Sequence, residues 1–450
     1  MPNYLFRWFS PGLAGLLLLL VLSGPIGAKE KFEIDRFISP QFCGDCHSEI
    51  YNQWEKSTHG LAHKDPIYNV VAKYFLKGLT DAGEIEEAEA CVKCHTPVGV
   101  VTGFPEKTSD DLDQVPEIAS YGVQCDYCHS ATGTTRLYNN GLILEPGQGE
   151  YDPGVKRGPR QDAESDFHET AYSEFHTKPE ICGTCHNVKH VAFDTDLETT
   201  YDEWKDGPYN TENPDTRIIC QDCHMRQRPG KPATGFTSRP DNPGLAADMG
   251  PERPHVFTHY FVGANSYMPG LFDDNDQTRM AKERLRHAAT LSIDTDKIDQ
   301  GTFSVTITNT GAGHKLPTGL SNARQMWLDI TVRDKQNDQT IFASGQPDER
   351  GYLADTVPIY RTVFGDGQGQ PVENLAKARE VLSDNRIPPR QSATQTFHLP
   401  PDTPDKHLTI NARLCYRIFS QKLIDQIAGT GTHQLPVVIM AEERQELSPE

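Results

Sequence analysis

Apolar material is scarce in this chain. Only 36% of its 450 residues are hydrophobic, below the usual share for a globular protein. Side chains alone therefore fill the interior poorly. Beyond Leu22 no apolar run is long enough to cross a bilayer. Basic charge is also in short supply: 43 Lys and Arg face 63 Asp and Glu, a net charge of −20. That balance argues against nucleic acid and anionic lipid as partners. Methionine is sparse, with seven residues. Cysteine is nearly absent outside one repeated pattern, which excludes a disulfide framework.

The pattern is CxxCH. It occurs as CGDCH, CVKCH, CDYCH, CGTCH and CQDCH between Cys43 and His224, and it uses ten of the eleven cysteines. Zinc ribbons pair CxxC units two by two and need no histidine behind each. Five units leave one over, and all five carry the histidine. The pattern is the attachment site of c-type haem. Two thiols hold the porphyrin edge, and the histidine supplies one axial nitrogen. The thioether residues are Cys43, Cys46, Cys91, Cys94, Cys125, Cys128, Cys182, Cys185, Cys220 and Cys223, and the proximal ligands are His47, His95, His129, His186 and His224. Five covalently bound haem c groups, with their iron, would also fill the interior that side chains do not.

Seventeen histidines less these five leave twelve, enough for a second histidine on every iron. A distal ligand must reach the opposite face of the ring, so His190, four residues after His186, is poorly placed for its own haem. His59 in WEKSTHG, His176 in EFHTKPEICGTCH, His259 in THYFVGAN and His314 in NTGAGHKLPTG are the distal candidates. Gly311, Gly313 and Gly319 would let backbone approach a flat ring. For the fifth site His168, His190 and His255 compete. His398, His407 and His433 read as structural or exposed. Met249, Met268 and Met280 are weaker axial options, and Met225 is too close to His224. Bis-histidine ligation implies low-potential, low-spin irons. Cys415 reads as a buried free thiol.

The first 28 residues read as a secretory signal: Arg7, then apolar Leu13 to Leu22, then small Gly27 and Ala28 before cleavage. No stable membrane span is expected once it is removed. Haem attachment and export together predict a periplasmic protein, with the cell exterior or surface as second choice. Residues 29–270 read as a loop-rich, mostly α cytochrome c domain, with a helix in YNQWEKSTHGLAHK. Residues 271–289 read as a helical linker, with Met280, Ala281, Leu285 and Ala288 on one face. From 290 to 450 the period changes to two. LSIDTD, TFSVTITNT, MWLDITVRD, TIFASG, TQTFHLP, LTINARLCYRIF and LPVVIMAE predict an antiparallel β-sandwich domain.

WEKSTHG, ACVKCHTPVG and YGVQCDYCHSATG resemble the bacterial multihaem cytochromes related to tetrahaem cytochrome c-554 and hydroxylamine oxidoreductase, over roughly residues 40 to 265. GAGHKLPTG, DNRIPPRQ and ARLCYRIF resemble a β domain appended to some of them. The resemblance implies that the histidine of W-x-x-S-x-H, here His59, ligates a later haem, with the third, on His129, as the suggested target. Five motifs are neither four nor eight. A histidine that relatives carry after the third motif is missing from SATGTTRLYNNG, and no motif is CxxCK.

The first functional reading is electron transfer in a respiratory chain. Its partners would be redox proteins with basic faces: a quinol-oxidising membrane complex, other cytochromes or a terminal reductase. The second is an oxidoreductase acting on a small nitrogen or sulfur compound at one five-coordinate haem, with Lys93, Arg136, Tyr127 and Tyr138 as nearby groups. The third is a subunit of an extracellular filament. A homo-oligomer is compatible with all three.

Overall fold

The computed structural model describes Met1 and residues 31–448, apart from 274, 402 and 404–406. The signal-like segment lies outside the described residues. Among them no helix is long and apolar enough to cross a membrane.

The first half is built from short helices and loops, and each CxxCH forms one helical turn. The spacing explains why. In a helix the amide four residues on bonds back to the first carbonyl. His47 donates to Cys43 O at 2.9 Å and His186 to Cys182 O at 2.9 Å. Cysteine and histidine thus share one face of the turn, toward a common cavity.

The helix expected across residues 51–64 is shorter. It runs Ser48–Trp54 and gives way to turns. The Ser57 amide bonds to Trp54 O at 2.8 Å, and the Ser57 hydroxyl accepts from the Gly60 amide at 3.1 Å. This tight local bonding replaces the helical ladder and carries His59 away from the helix axis. The helix Pro66–Phe75 is capped by Asp65, whose side chain accepts from the Ile67 amide at 2.8 Å. Its Ile67, Val71 and Phe75 enter the same buried cluster as the strands of the second half. The helix Asn275–Arg286 agrees with its expected pattern, with Met280, Ala281 and Leu285 buried.

The second half is largely antiparallel. All seven predicted strands are present. Thr302–Asn309 pairs with Ala289–Asp294 on one side and Ser392–His398 on the other. Gln325–Asp334 pairs with Leu408–Arg417 along ten positions, flanked by Thr340–Ser344 and Val438–Glu446. Phe303, Val305 and Ile307 from the first sheet share one core with Leu328, Ile330, Ile410 and Leu414 from the second. Cys415 is buried on the other face, beside Trp327 and Val357, and burial pushes its thiol up to about 12.

Sequence reading missed a small third sheet, with Thr362–Gly365 between Pro371–Val372 and Glu380–Asp384. Its outer strand exposes Val381 and Leu382, so no alternation marks it. The helix Gln421–Ala428 was also missed.

A buried ion cluster joins the two halves. Arg386 reaches Glu203 of the helix Thr200–Lys205 at 2.5 Å and Asp384 at 2.8 Å. Lys315 meets Asp384 at 2.7 Å, and its amide donates to Glu203 at 3.1 Å. Removing one partner of a buried pair strands the other charge. Arg386→Ala should therefore cost about 3–5 kcal/mol, read as an earlier denaturant midpoint by far-ultraviolet circular dichroism.

Candidate haem sites

One cavity of about 1500 Å³ runs through the first half and under the second, lined by all ten motif cysteines and all five motif histidines. Among the described residues no three His, Cys, Asp or Glu side chains converge as a zinc site requires. The cysteines line a space shaped for something larger than an ion.

Histidine geometry fits haem. Two imidazoles bound to one metal through nitrogens about 2 Å away put their ring centroids roughly 6 Å apart. Four motif histidines meet a second histidine at that separation. His47 faces His168 at 6.4 Å, His186 faces His59 at 6.1 Å, His129 faces His259 at 6.4 Å and His224 faces His314 at 6.5 Å.

Ring nitrogens sharpen the match. Nδ1 of His47, His95, His129 and His224 donates to the carbonyls of Ala246, Ala62, Arg157 and Val262, at 2.6, 3.1, 2.6 and 2.8 Å. Nδ1 of His168, His259 and His314 donates to the carbonyls of Glu169, Phe257 and Lys315, at 3.0, 3.0 and 2.9 Å. Each bond fixes the tautomer and leaves Nε2 as the free lone pair. Burial, with His186 and His259 close by, pushes His59 down to about 3. Burial pushes His259 down to about 4. Both are neutral imidazoles, the form that binds a metal.

These placements correct two expectations, the target of His59 and the role of His176. His59 faces the fourth motif rather than the third. His176 lies 5.6 Å from His129, but Nδ1 meets Ser173 Oγ at 2.9 Å and Nε2 meets Cys128 O at 3.0 Å. With both nitrogens engaged it has no lone pair to offer, so it flanks the site that His259 fills. His168 was one of three competitors for the last position. It sits in the acidic loop QDAESDFHET, where the one aromatic, Phe167, is exposed and no glycine marks it.

Other candidates are absorbed by structure. His190 is buried, with Nε2 bonded to Ala376 O at 3.0 Å and Nδ1 accepting from the Ala192 and Phe193 amides. Nδ1 of His255 accepts from the Asn242 amide at 3.0 Å. Nδ1 of His433 meets the Tyr267 hydroxyl at 2.9 Å. Met268 and Met280 are in the core, and Met249 is exposed. Arg136 and Tyr138 stack on each other at the surface, and the Tyr127 hydroxyl is bound to Asn140. Gly311 serves the backbone rather than a porphyrin: a Cβ there would lie 1.9 Å from His287 O.

His95 stands apart. Its ring stacks directly on Tyr68, at 3.8 Å and an interplanar angle of 2°. None of the described histidines faces it across a metal-sized gap. His63 lies close but bonds Thr96 Oγ1 at 2.9 Å. The Tyr68 hydroxyl is buried without a hydrogen-bond partner.

The motifs also touch one another. The Ile38 amide, ahead of the first motif, donates to Asp126 of the third at 3.0 Å. Asn140, after the third, donates its amide to Thr184 O of the fourth at 2.6 Å and its side chain to Lys93 O of the second. Gln221 of the fifth donates to Lys178 O, ahead of the fourth, at 2.8 Å. The fourth motif is thus the junction, with the second, third and fifth around it and the first behind the third.

His186 differs from the other motif histidines. Its Nδ1 faces a carboxylate, Glu198, at 3.6 Å. Burial opposes protonation of His186, but Glu198 prevails and raises it to about 9. Next to the fifth motif lies Arg284, whose Nη2 donates to Cys223 O at 2.6 Å. Burial lowers its guanidinium to about 10.

Replacing His59, His168, His259 or His314 by Ala should each convert one haem from low to high spin in the electron paramagnetic resonance spectrum. His176→Ala should leave the low-spin count unchanged.

Residues 42–130 match the family model described as Cytochrome c554 and c-prime. No curated protein sequence matches the chain. Among solved structures, the penta-heme cytochrome c552 from Thermochromatium tepidum matches with a TM-score of 0.60 at 17% identity, covering 92% of this chain and 100% of that one. At that identity the likeness concerns the fold. The motifs, the histidine geometry and the family match agree: the chain is a multihaem c-type cytochrome with a cytochrome c554 and c-prime domain at residues 42–130.

Proposed function

We propose that the protein carries five haems, one per motif, and passes single electrons among them outside the cytoplasm, in the periplasm or at the cell surface. The interlocking of the five motifs around one cavity carries this reading. The thiols of each motif bond one porphyrin edge, so adjacent motifs mean neighbouring edges and short hops. The chain's own residues do three things. Cysteines fix each ring, paired histidines hold four irons low-spin, and the apolar wall excludes water. Low-spin iron with both axial positions filled changes charge with little rearrangement, which suits a carrier.

The haem-bearing part, residues 29–270, and the strand-rich part, 290–450, act as two units. The second supplies His314 to the fifth motif, and the Glu203–Arg386–Lys315 cluster steadies that loop. Partners in this reading are redox proteins with basic faces, matched to the net charge of −20. A quinol-oxidising complex, another cytochrome or a terminal reductase would serve.

The site of His95 favours a second reading. Tyr68 lies on its ring and no histidine opposes it, so an iron there keeps one open position. A small ligand could bind at that position and take electrons arriving from the neighbouring fourth motif, which Asn140 ties to the second. The protein would then be an oxidoreductase fed by its own wire.

A reductive titration should take up five electrons per chain, and fewer would overturn the five-haem reading. Cyanide or nitric oxide should bind one haem per chain and remove one high-spin signal. Binding to none would sink the second reading and leave the carrier reading intact.

A further inference from the structure

Two buried charges of opposite sign stand beside adjacent motifs. Glu198 is on the short strand Asp196–Glu198, with its side chain 13% exposed. One carboxylate oxygen accepts from Thr200 Oγ1 at 3.0 Å and lies 3.6 Å from His186 Nδ1. The other four motif histidines turn Nδ1 toward neutral carbonyls. Arg284 projects from the helix Asn275–Arg286 into the cavity. It donates to the carbonyl of Cys223, the residue before His224. Its Nε is buried with no hydrogen-bond partner among the described residues. A guanidinium half-satisfied by protein and aimed into the cavity fits the carboxylate edge of a porphyrin.

The two charges act in opposite directions. A carboxylate behind a ligating imidazole makes that imidazole more basic and favours the ferric iron. A buried cation favours the reduced state, which carries one positive charge less. Both effects are larger in a cavity of low dielectric than in water. The motifs they flank are neighbours: Gln221 of the fifth donates to Lys178 O, just ahead of the fourth, at 2.8 Å.

We propose that Glu198 and Arg284 together set a potential step between the iron on His186 and the iron on His224, so that electrons run from the fourth site to the fifth. In that step one electron leaves the His186 iron, which becomes ferric, and arrives at the His224 iron, which becomes ferrous. No proton moves and no bond breaks. The inference rests on the five-haem reading and adds a direction to it. Glu198 and Arg284 are positioning residues, acting through His186 and the Cys223–His224 segment.

The test is a potentiometric titration of the full-length holoprotein followed by electron paramagnetic resonance. Glu198→Gln should raise the reduction constant of one low-spin haem about tenfold, which is about 59 mV for one electron. Arg284→Gln should lower that of a different low-spin haem, lying above the first in wild type, by a similar factor. The double variant should close most of the gap between the two. Shifts below threefold would overturn the proposal. So would both variants moving the same haem, or Glu198→Gln moving the higher of the pair. Should either Gln variant fail to load haem, Glu198→Asp and Arg284→Lys keep the charge one step further back, and smaller shifts of the same signs are required. Haem content by pyridine haemochrome is measured alongside. Fewer than five haems per chain would strike the underlying reading, whereas five haems with unmoved potentials would strike this one alone.

Discussion

An imidazole has two nitrogens, and it can give a metal only the one that nothing else holds. This constraint orders the whole first half of the chain. Seven of the ten histidines that line the cavity spend Nδ1 on a backbone carbonyl. The carbonyl comes from a distant segment in several cases: Ala246 for His47, Arg157 for His129, Val262 for His224. The loops between motifs therefore aim rings as well as connect helices. Where both nitrogens are held, as in His176, proximity to a motif histidine counts for nothing. Where none of the described histidines stands opposite, as at His95, the ring stacks on Tyr68 instead.

The same constraint explains what the sequence disclosed. CxxCH is local: one helical turn satisfies it, and five readings of it needed no tertiary information. Distal ligation is non-local. His59 and His186 are separated by more than a hundred residues, and their pairing depends on where a chain of turns after Trp54 leads. Sequence context pointed to His59, His259 and His314 through aromatic and glycine neighbours, and the structure sets each opposite a motif histidine. Context pointed to His176 for its place just before the fourth motif, where Phe175 packs on the ring edge and both nitrogens are engaged. It undervalued His168, whose acidic loop looks like plain solvent-exposed chain. In the second half, alternation found the strands that bury one face, such as Thr302–Asn309. It missed Glu380–Asp384, which exposes nearly every side chain.

The two halves are also less separable in the core than in the sequence. Composition changes near residue 290, yet Ile67, Val71 and Phe75 lie in one cluster with Ile307, Leu328 and Ile410. The first half has only small clusters of its own, such as the one around Phe37, Val98, Tyr127 and Leu144, in a chain with 36% hydrophobic residues. The chain concentrates its apolar side chains in the strand-rich half and leans the helix Pro66–Phe75 on them. The remaining interior is left to porphyrin.

This arrangement gives charge unusual leverage. Where the wall is apolar and the filler is porphyrin, few groups screen a buried ion, so each one present shapes the irons beside it. Most ion pairs here are exposed and contribute little. Glu198 and Arg284 are exceptions, since each faces the cavity: the ion pair of Glu198 is with the motif histidine His186, and Arg284 has none among the described residues. Glu198 has a histidine, and Arg284 has a backbone carbonyl. A structural role alone gives no reason to leave such charges so lightly paired, because burying an ion without a full partner costs stability. Their cost becomes intelligible if the irons are the partners, and the fourth motif, where three others meet, is where a difference in potential would govern the path of an electron most strongly.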